Sequence, residues 1–282
     1  LLTHFLKNAD KLVIPVYQRN YDWKEEHCKK LYSDLVKTVR EGKRWHFFGG
    51  IVSVSDPMGS SSDYLVIDGQ QRITTVSLLL LAIANLVKAG IVTPKDPNLY
   101  DVITKKYLVD EINPKQRKMK LKPIKGDQDS YDRLWGDPSE YNQSSRITQN
   151  YLYFYNQIQR DDISVDQLFS AVEKLQIIDI TLTPPDDDPQ LVFESLNSTG
   201  LDLNEGDKIR NFVLMRRSME EQEQFYDDYW SPIEKNAGYD KQTNSYDVSP
   251  FIRDYLGIKE RRLTAMKEIY QEFKDYVEKR GQ

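Results

Sequence analysis

The segment Asp68-Gly69-Gln70-Gln71-Arg72-Ile73-Thr74-Thr75 holds the richest chemistry in the chain. Arg72 offers a forked cation that suits a phosphate. Gln70 and Gln71 each donate and accept, which fits base recognition or the orienting of a water. Gly69 lets the backbone approach a ligand closely. Thr74 and Thr75 carry hydroxyls that cap a helix or meet a phosphate, and Asp68 is a carboxylate able to hold Mg2+ through water. The opposing reading is an ordinary Asp-Gly turn followed by a solvated helix start. Two glutamines and an arginine between a buried strand and an all-apolar helix are hard to account for as plain surface. The loop is not a Walker A loop, because no G-x-x-x-x-G-K-[ST] occurs.

The elements around it explain why this segment would be held in place. Tyr64 to Ile67 is a strand that runs straight into it, and a helix is expected to start near Ile73 or Thr74. That helix carries Val76, Leu78 to Leu81, Ile83, Leu86 and Val87, apolar on almost every face, so it belongs in the middle of a domain. A strand, a glycine turn and a helix start together favour an anion, since the first helical N–H groups lack internal partners and the dipole is positive there. Upstream, Leu12 to Val16 reads as a strand entering the loop Tyr17-Gln18-Arg19-Asn20-Tyr21. Asp22 reads as the N-cap of a helix to about Arg40, with Glu25 at the capping-box position. Phe47 to Val54 reads as a second strand with a close-approach point at Gly49-Gly50.

Beyond Gly90 the pattern turns helical, over roughly 99–109, 127–135, 145–160, 164–174, 205–217, 220–230 and 259–279. Asp186-Asp187-Asp188 opens one more helix, ending near Asn197-Ser198-Thr199-Gly200. Lys115 to Lys125 is a basic stretch whose alternation at 119–122 suggests an edge strand, either solvated or contacting DNA. Ile177 to Leu182 is a late strand. The expected architecture is α+β, with residues 1–125 as the sheet core, 126–282 mainly helical, and strand 177–182 returning to the core.

Composition narrows the function classes. The net charge is −5, so tight, sequence-blind gripping of phosphates by the whole surface is not expected. Cys28 stands alone, which excludes an internal disulfide and suits a reducing cytoplasm. His4, His27 and His46 show no metal-ligand spacing and no HNH-type nuclease pattern. No apolar run reaches the roughly 18 residues of a membrane span, so no membrane partner is expected. No signal peptide is visible, and both ends read as cuts within a longer protein.

Three motifs occur in order: Ile14-Pro15-Val16-Tyr17-Gln18-Arg19-Asn20-Tyr21-Asp22-Trp23, then Asp68 to Thr75, then Phe193-Glu194-Ser195-Leu196-Asn197-Ser198-Thr199-Gly200-Leu201-Asp202-Leu203. Over about Ile14 to Leu214 the chain resembles the N-terminal domain family of GmrSD-type restriction enzymes. The resemblance implies a ParB/sulfiredoxin-like core that binds nucleotide at the equivalent loop. It also implies nucleoside triphosphate hydrolysis coupled to restriction of modified phage DNA, with an HNH-type nuclease domain usually following. Asn20 departs from the family, which usually has Pro there. Asp207 is present as expected, and Arg210-Asn211 stands for the usual Lys-Asn.

Carried over by position, Tyr17, Gln18 and Arg19 would line one cleft with Asp68 to Arg72. Tyr17, Gln18, Arg19, Gly69, Arg72, Thr74 and Thr75 are then the candidate nucleotide-binding residues. Asp68, Gln70, Gln71 and Arg72 are the candidate catalytic ones. Neither Arg19 nor Arg72 has an obvious acidic partner inside its own motif. Asn197 and Gly200 would form a secondary motif or simply a helix C-cap. Asp207, Arg210 and Asn211 share one helix and would touch ligand or anchor that helix. Trp23 reads as core packing. As an enzyme, the domain would use Arg19 and Arg72 to stabilise phosphoryl charge, Gln70 or Gln71 to position water, and Mg2+ at Asp68 to bridge phosphate oxygens. As a binding module, it would read modified DNA, or hold nucleotide only as a switch. A homodimer stays an open reading. Direct nuclease action is the weakest.

Overall fold

The computed structural model describes residues 1–55, 63–110, 118–160, 163–184, 186–197, 203–215, 217, 219–240 and 245–280. The chain forms two compact units: Leu1–Pro15 with Asn20–Asp187, and Val16–Arg19 with Asp188–Gln282. The division therefore does not fall at 125/126.

The first unit contains α1 (Leu2–Asn8), β1 (Lys11–Val13), α2 (Glu25–Arg40), β2 (His46–Ser55), β3 (Asp63–Asp68), α3 (Gln70–Lys88), α4 (Leu99–Ile103), β4 (Val109–Asp110), β5 (Lys118–Met119), β6 (Leu121–Lys122), α5 (Lys125–Arg133), α6 (Arg146–Ile158), α7 (Val165–Glu173) and β7 (Leu175–Leu182). Five strands form one mixed sheet in the order β6-β1-β3-β2-β7. β1 lies parallel to β3 and β6, β2 runs antiparallel to β3, and β7 runs parallel to β2. The fold is thus α+β, a mostly parallel sheet with a large helical annex.

α3 is the core helix. Its apolar side chains from Ile73 to Leu86 are buried on every side and share one cluster with α2, α6 and α7. By length and composition it could cross a membrane, but 83% of its most apolar window is buried in the protein, which marks it as a core helix. The same cluster explains where the unit ends. Ile147, Tyr151, Phe154 and Ile158 of α6 and Leu168 and Val172 of α7 direct their apolar stripes into it. A deep truncation such as Phe154→Ala would cost about 3–5 kcal/mol.

Several elements differ from the sequence reading. Asp22 is not the N-cap of α2; Lys24 is, and its N–H donates to His27 Nδ1 at 3.0 Å. The Asp22 carboxylate instead pairs with Arg146 at 3.1 Å. The stretch 99–109 is α4 followed by a π-helical turn over Thr104–Leu108. The basic stretch does not form one edge strand, because it bends at Lys120. Its Nζ is buried and donates to Leu6 O, Lys7 O and Lys106 O at 3.2, 3.0 and 3.1 Å. Lys120 therefore caps the end of α1 internally, and burial lowers its pKa. Residues 115–117 of that stretch lie outside the described residues.

The second unit contains α8 (Pro189–Asn197), α9 (Glu205–Leu214), α10 (Met219–Phe225), α11 (Ser231–Ile233), the short pair β8 (Tyr239–Asp240) and β9 (Ser245–Tyr246), α12 (Ser249–Glu260) and α13 (Ile269–Glu278). Its core joins Ile209, Trp230, Val248, Ile252, Leu256, Ile269 and Tyr276. A single helix over 259–279 is not formed. Arg261 turns left-handed at φ 55° and ends α12, which begins ten residues before the expected start at a Ser-Pro pair.

Candidate functional site

The junction of β3 and α3 is built around Gly69. Its φ of 93° lies in the left-handed region, and a Cβ there would stand 3.0 Å from both Gly50 O and Ile51 Cγ1. The helix starts at Gln70, earlier than the expected Ile73 or Thr74, because Gly69 rather than a polar cap turns the chain. Gln70, Gln71 and Arg72 are consequently the first turn, where backbone N–H groups have no acceptor within the helix.

Arg72 lies across the Gly49-Gly50 pair of β2. Gly49 has φ 118°, and a Cβ on it would sit 2.6 Å from Arg72 Nε. Arg72 Nη1 donates to Gly50 O at 3.0 Å and stands 3.8 Å from Asp68 Oδ2. Contrary to the sequence reading, Arg72 does have an acidic partner in its own motif, one helical turn back. Its side chain is 32% exposed and that of Asp68 44%, so both groups still face solvent. A guanidinium held at one nitrogen by a carbonyl keeps other N–H donors for an anion.

Gln71 is used differently. Its Oε1 accepts from Asp22 N at 2.9 Å and Trp23 N at 3.1 Å, and its Nε2 donates to Asn20 O at 3.2 Å. The side-chain amide thereby pins the loop Asn20–Trp23 to the first turn of α3. Thr75 is buried and donates its hydroxyl to Gln71 O at 2.7 Å. Tyr21 OH meets Thr75 Oγ1 at 2.7 Å, and Asn150 donates to Tyr21 OH at 2.9 Å and Trp23 O at 2.6 Å. Thr74 is buried too. Tyr21 N donates to Asp127 Oδ2 at 2.6 Å, and burial pushes that carboxyl up to about 6. Asp127 and Asn150 were missed from sequence. Asn150 had a signal, a polar residue inside the apolar stripe of α6. Asp127 carried no such signal, since its partner Tyr21 lies 106 positions away.

Tyr17, Gln18 and Arg19 belong to the second unit, and Tyr17 and Gln18 are buried. Within that unit Arg210 is the hub. It donates from Nε to Tyr17 O at 2.9 Å, from Nη2 to Asp207 Oδ1 at 2.8 Å and from Nη1 to Glu234 Oε1 at 2.7 Å. Glu234 also accepts from Tyr226 OH at 3.0 Å and Trp230 Nε1 at 2.8 Å. Burial raises the Asp207 pKa, against the opposing pull of Arg210 and then Arg19. Asp207 N–H donates to Asn204 Oδ1 at 2.7 Å, which caps α9. Asn211 is buried on the same helix, and its Oδ1 has no hydrogen-bond partner among the described residues. Glu234, Tyr226 and Trp230 were not found from sequence, because Glu234 meets Arg210 twenty-four residues away, whereas Asn204, also not singled out, carried a local signal as the N-cap three residues before Asp207. Asn197 ends α8, while Gly200 lies outside the described residues.

The side chains at this turn are too few to hold a metal ion by protein alone. Among the described residues no three His, Cys, Asp or Glu side chains gather as metal ligands. Asp68 is a single carboxylate, and it already faces a guanidinium.

What the first unit does supply is a partly exposed, braced arginine at a glycine-turned helix start. Beside it, a loop carrying the first motif is hydrogen-bonded to the second. None of the curated proteins matches the chain. Residues 2–214 match the family model of the GmrSD restriction endonuclease N-terminal domain. The motifs that meet at α3 and those gathered around Arg210 both fall within this match, and the chain belongs to that family of restriction-system N-terminal domains.

Proposed function

We propose that this domain is the nucleotide-handling part of a cytoplasmic, modification-dependent restriction protein, binding a nucleoside triphosphate at the first turn of α3 and thereby licensing a nuclease domain outside this chain. The observation that carries the reading is Arg72, which is braced by Gly50 O and Asp68 yet one-third exposed beside the N-terminus of a long helix. A phosphate there would meet a forked cation and a helix end of positive polarity. Gly49 and Gly69 leave room for that arrangement because a side chain on either would occupy it.

In this account Arg72 binds phosphate and Asp68 orients the guanidinium. Gln71 and Thr75 position the loop Asn20–Trp23. No step is routed through a metal ion. The second reading, nucleotide held as a switch without hydrolysis, is favoured by one observation. The Gln71 oxygen already accepts from two backbone N–H groups and its amide holds Asn20 O, so only one N–H is left over and no lone pair remains to accept from an attacking water. The test is phosphate release from nucleoside triphosphates by purified protein, with and without Mg2+ and modified DNA. Turnover that Arg72→Ala abolishes supports the enzyme. Binding without turnover supports the switch, and neither binding nor turnover overturns both.

A further inference from the structure

The segment Lys37 to Phe47 takes no part in the site above. It runs from the last turn of α2 through a turn at Gly42, φ 62°, into β2. Lys37, Arg40, Lys43 and Arg44 are all exposed, against one acid, Glu41, which pairs with Lys43 at 2.7 Å. Arg44 has no ion-pair partner among the described residues. The chain as a whole carries −5, so this is a local reversal of sign.

Two large aromatics stand in the same short stretch. Trp45 is 55% exposed and Phe47 53%, whereas the intervening His46 is half-buried and lies 3.7 Å from Asp34. Phe48, the next residue, packs against the core. That alternation puts Trp45 and Phe47 on one side of an extended backbone, about 7 Å apart. The backbone beneath them is fixed, since Lys43 N donates to Thr38 O and His46 N to Lys174 O, both at 3.0 Å. Large aromatics held outward on a rigid, basic edge are costly to leave in water unless they meet a partner.

We propose that Lys37 to Phe47 is a docking surface for single-stranded DNA, with bases stacking on Trp45 and Phe47 and phosphates meeting Lys43, Arg44 and the cations of the last turn of α2. Stacking needs exposed base faces, which a strand presents and an intact duplex hides. The cations suit the phosphates that separate successive bases. Lys115 to Lys125, the more visible basic stretch in the sequence, offers less, because Lys120 is consumed by three carbonyls.

The probe is a fluorescein-labelled oligothymidine of about 20 nucleotides, longer than one stacking site, titrated by anisotropy at about 50 and 200 mM salt. All changes are at the surface, so melting curves should stay within those of the wild type. Trp45→Ala/Phe47→Ala should weaken binding by about tenfold or more. Lys43→Glu/Arg44→Glu should weaken it and make the log–log salt slope shallower by about 0.7 for each phosphate no longer neutralised. An unlabelled duplex of equal length should compete poorly. The inference is overturned by a wild type that does not bind at low salt, by variants that bind as the wild type does, or by a duplex that competes as well as the strand.

Discussion

Asp127 offers a test of the packing around the site that needs no ligand. The residue is 9% exposed, and its carboxyl accepts one backbone N–H from Tyr21 at 2.6 Å and is raised from the ordinary 3.8 to about 6 by burial. A carboxyl whose folded pKa lies above its unfolded one is favoured in its protonated form by the fold. Its contribution to stability is therefore full below about pH 4, is lost as pH rises towards 6, and stays lost above that. A shift of about two units corresponds to roughly 3 kcal/mol at 1.36 kcal/mol per unit, an upper figure for a group at this depth. Asp127→Asn keeps an oxygen for Tyr21 N–H and removes the titration. The new amide N–H2 adds a constant cost of its own, so the informative quantity is the pH-dependent part. Urea unfolding of wild type and variant at pH 4 to 7.5 should show the difference moving by about 2–3 kcal/mol in favour of the variant across that range. Subtracting the two proteins cancels every other carboxylate. A flat difference, or one that moves in favour of the wild type as pH rises, would mean that a cation or a water chain stabilises the ionised Asp127, and the account of the loop would fail.

Other consequences follow from the same geometry. Gly49→Ala places a Cβ at 2.6 Å from Arg72 Nε in a left-handed backbone; it should cost about 1–3 kcal/mol in thermal unfolding and weaken nucleotide binding, and a variant with wild-type affinity would contradict the placement of Arg72. Gln71→Ala strips Asp22 N, Trp23 N and Asn20 O of their partner and should cost at least about 2 kcal/mol; amide exchange at Asp22 and Trp23 should quicken, and unchanged protection would refute the clamp. Lys120→Met leaves three carbonyls unsatisfied and should cost about 2–3 kcal/mol, where a solvated lysine would change stability by less than about 0.5 kcal/mol; chemical denaturation separates the two.

The sequence carried the sheet strands and the core helix well, because the short apolar run Tyr64 to Ile67 and the long one from Val76 to Leu86, interrupted only by Ser77 and Asn85, are local patterns. The start of α3 was misplaced because Gln70, Gln71 and Arg72 look like loop residues, and the positive φ of Gly69 makes the turn without a polar cap. The unit boundary was misplaced for a different reason. The stripes of α6 and α7 announce that they pack, but not on what. The candidate site was legible as a set of residues and not as a division of roles. Gln70, Gln71 and Arg72 have similar chemistry on paper, yet Gln71 is fixed by a loop some fifty residues away and Arg72 by a glycine pair on β2. Asn150 bonds Tyr21 across 129 positions, a separation that no local pattern reports. Lys120 shows the same limit on the surface, since a lysine in a basic run turned out to be buried.

The central claim is that Arg72 binds the phosphates of a nucleotide, and calorimetric titration of a nucleoside triphosphate into wild type and Arg72→Ala tests it most directly. A charge-assisted bond to phosphate is worth about 1.5–3 kcal/mol, so the variant should bind about tenfold or more weakly while melting at nearly the wild-type temperature. Unchanged affinity together with a large drop in melting temperature would make Arg72 a structural brace between Gly50 and Asp68 and nothing more.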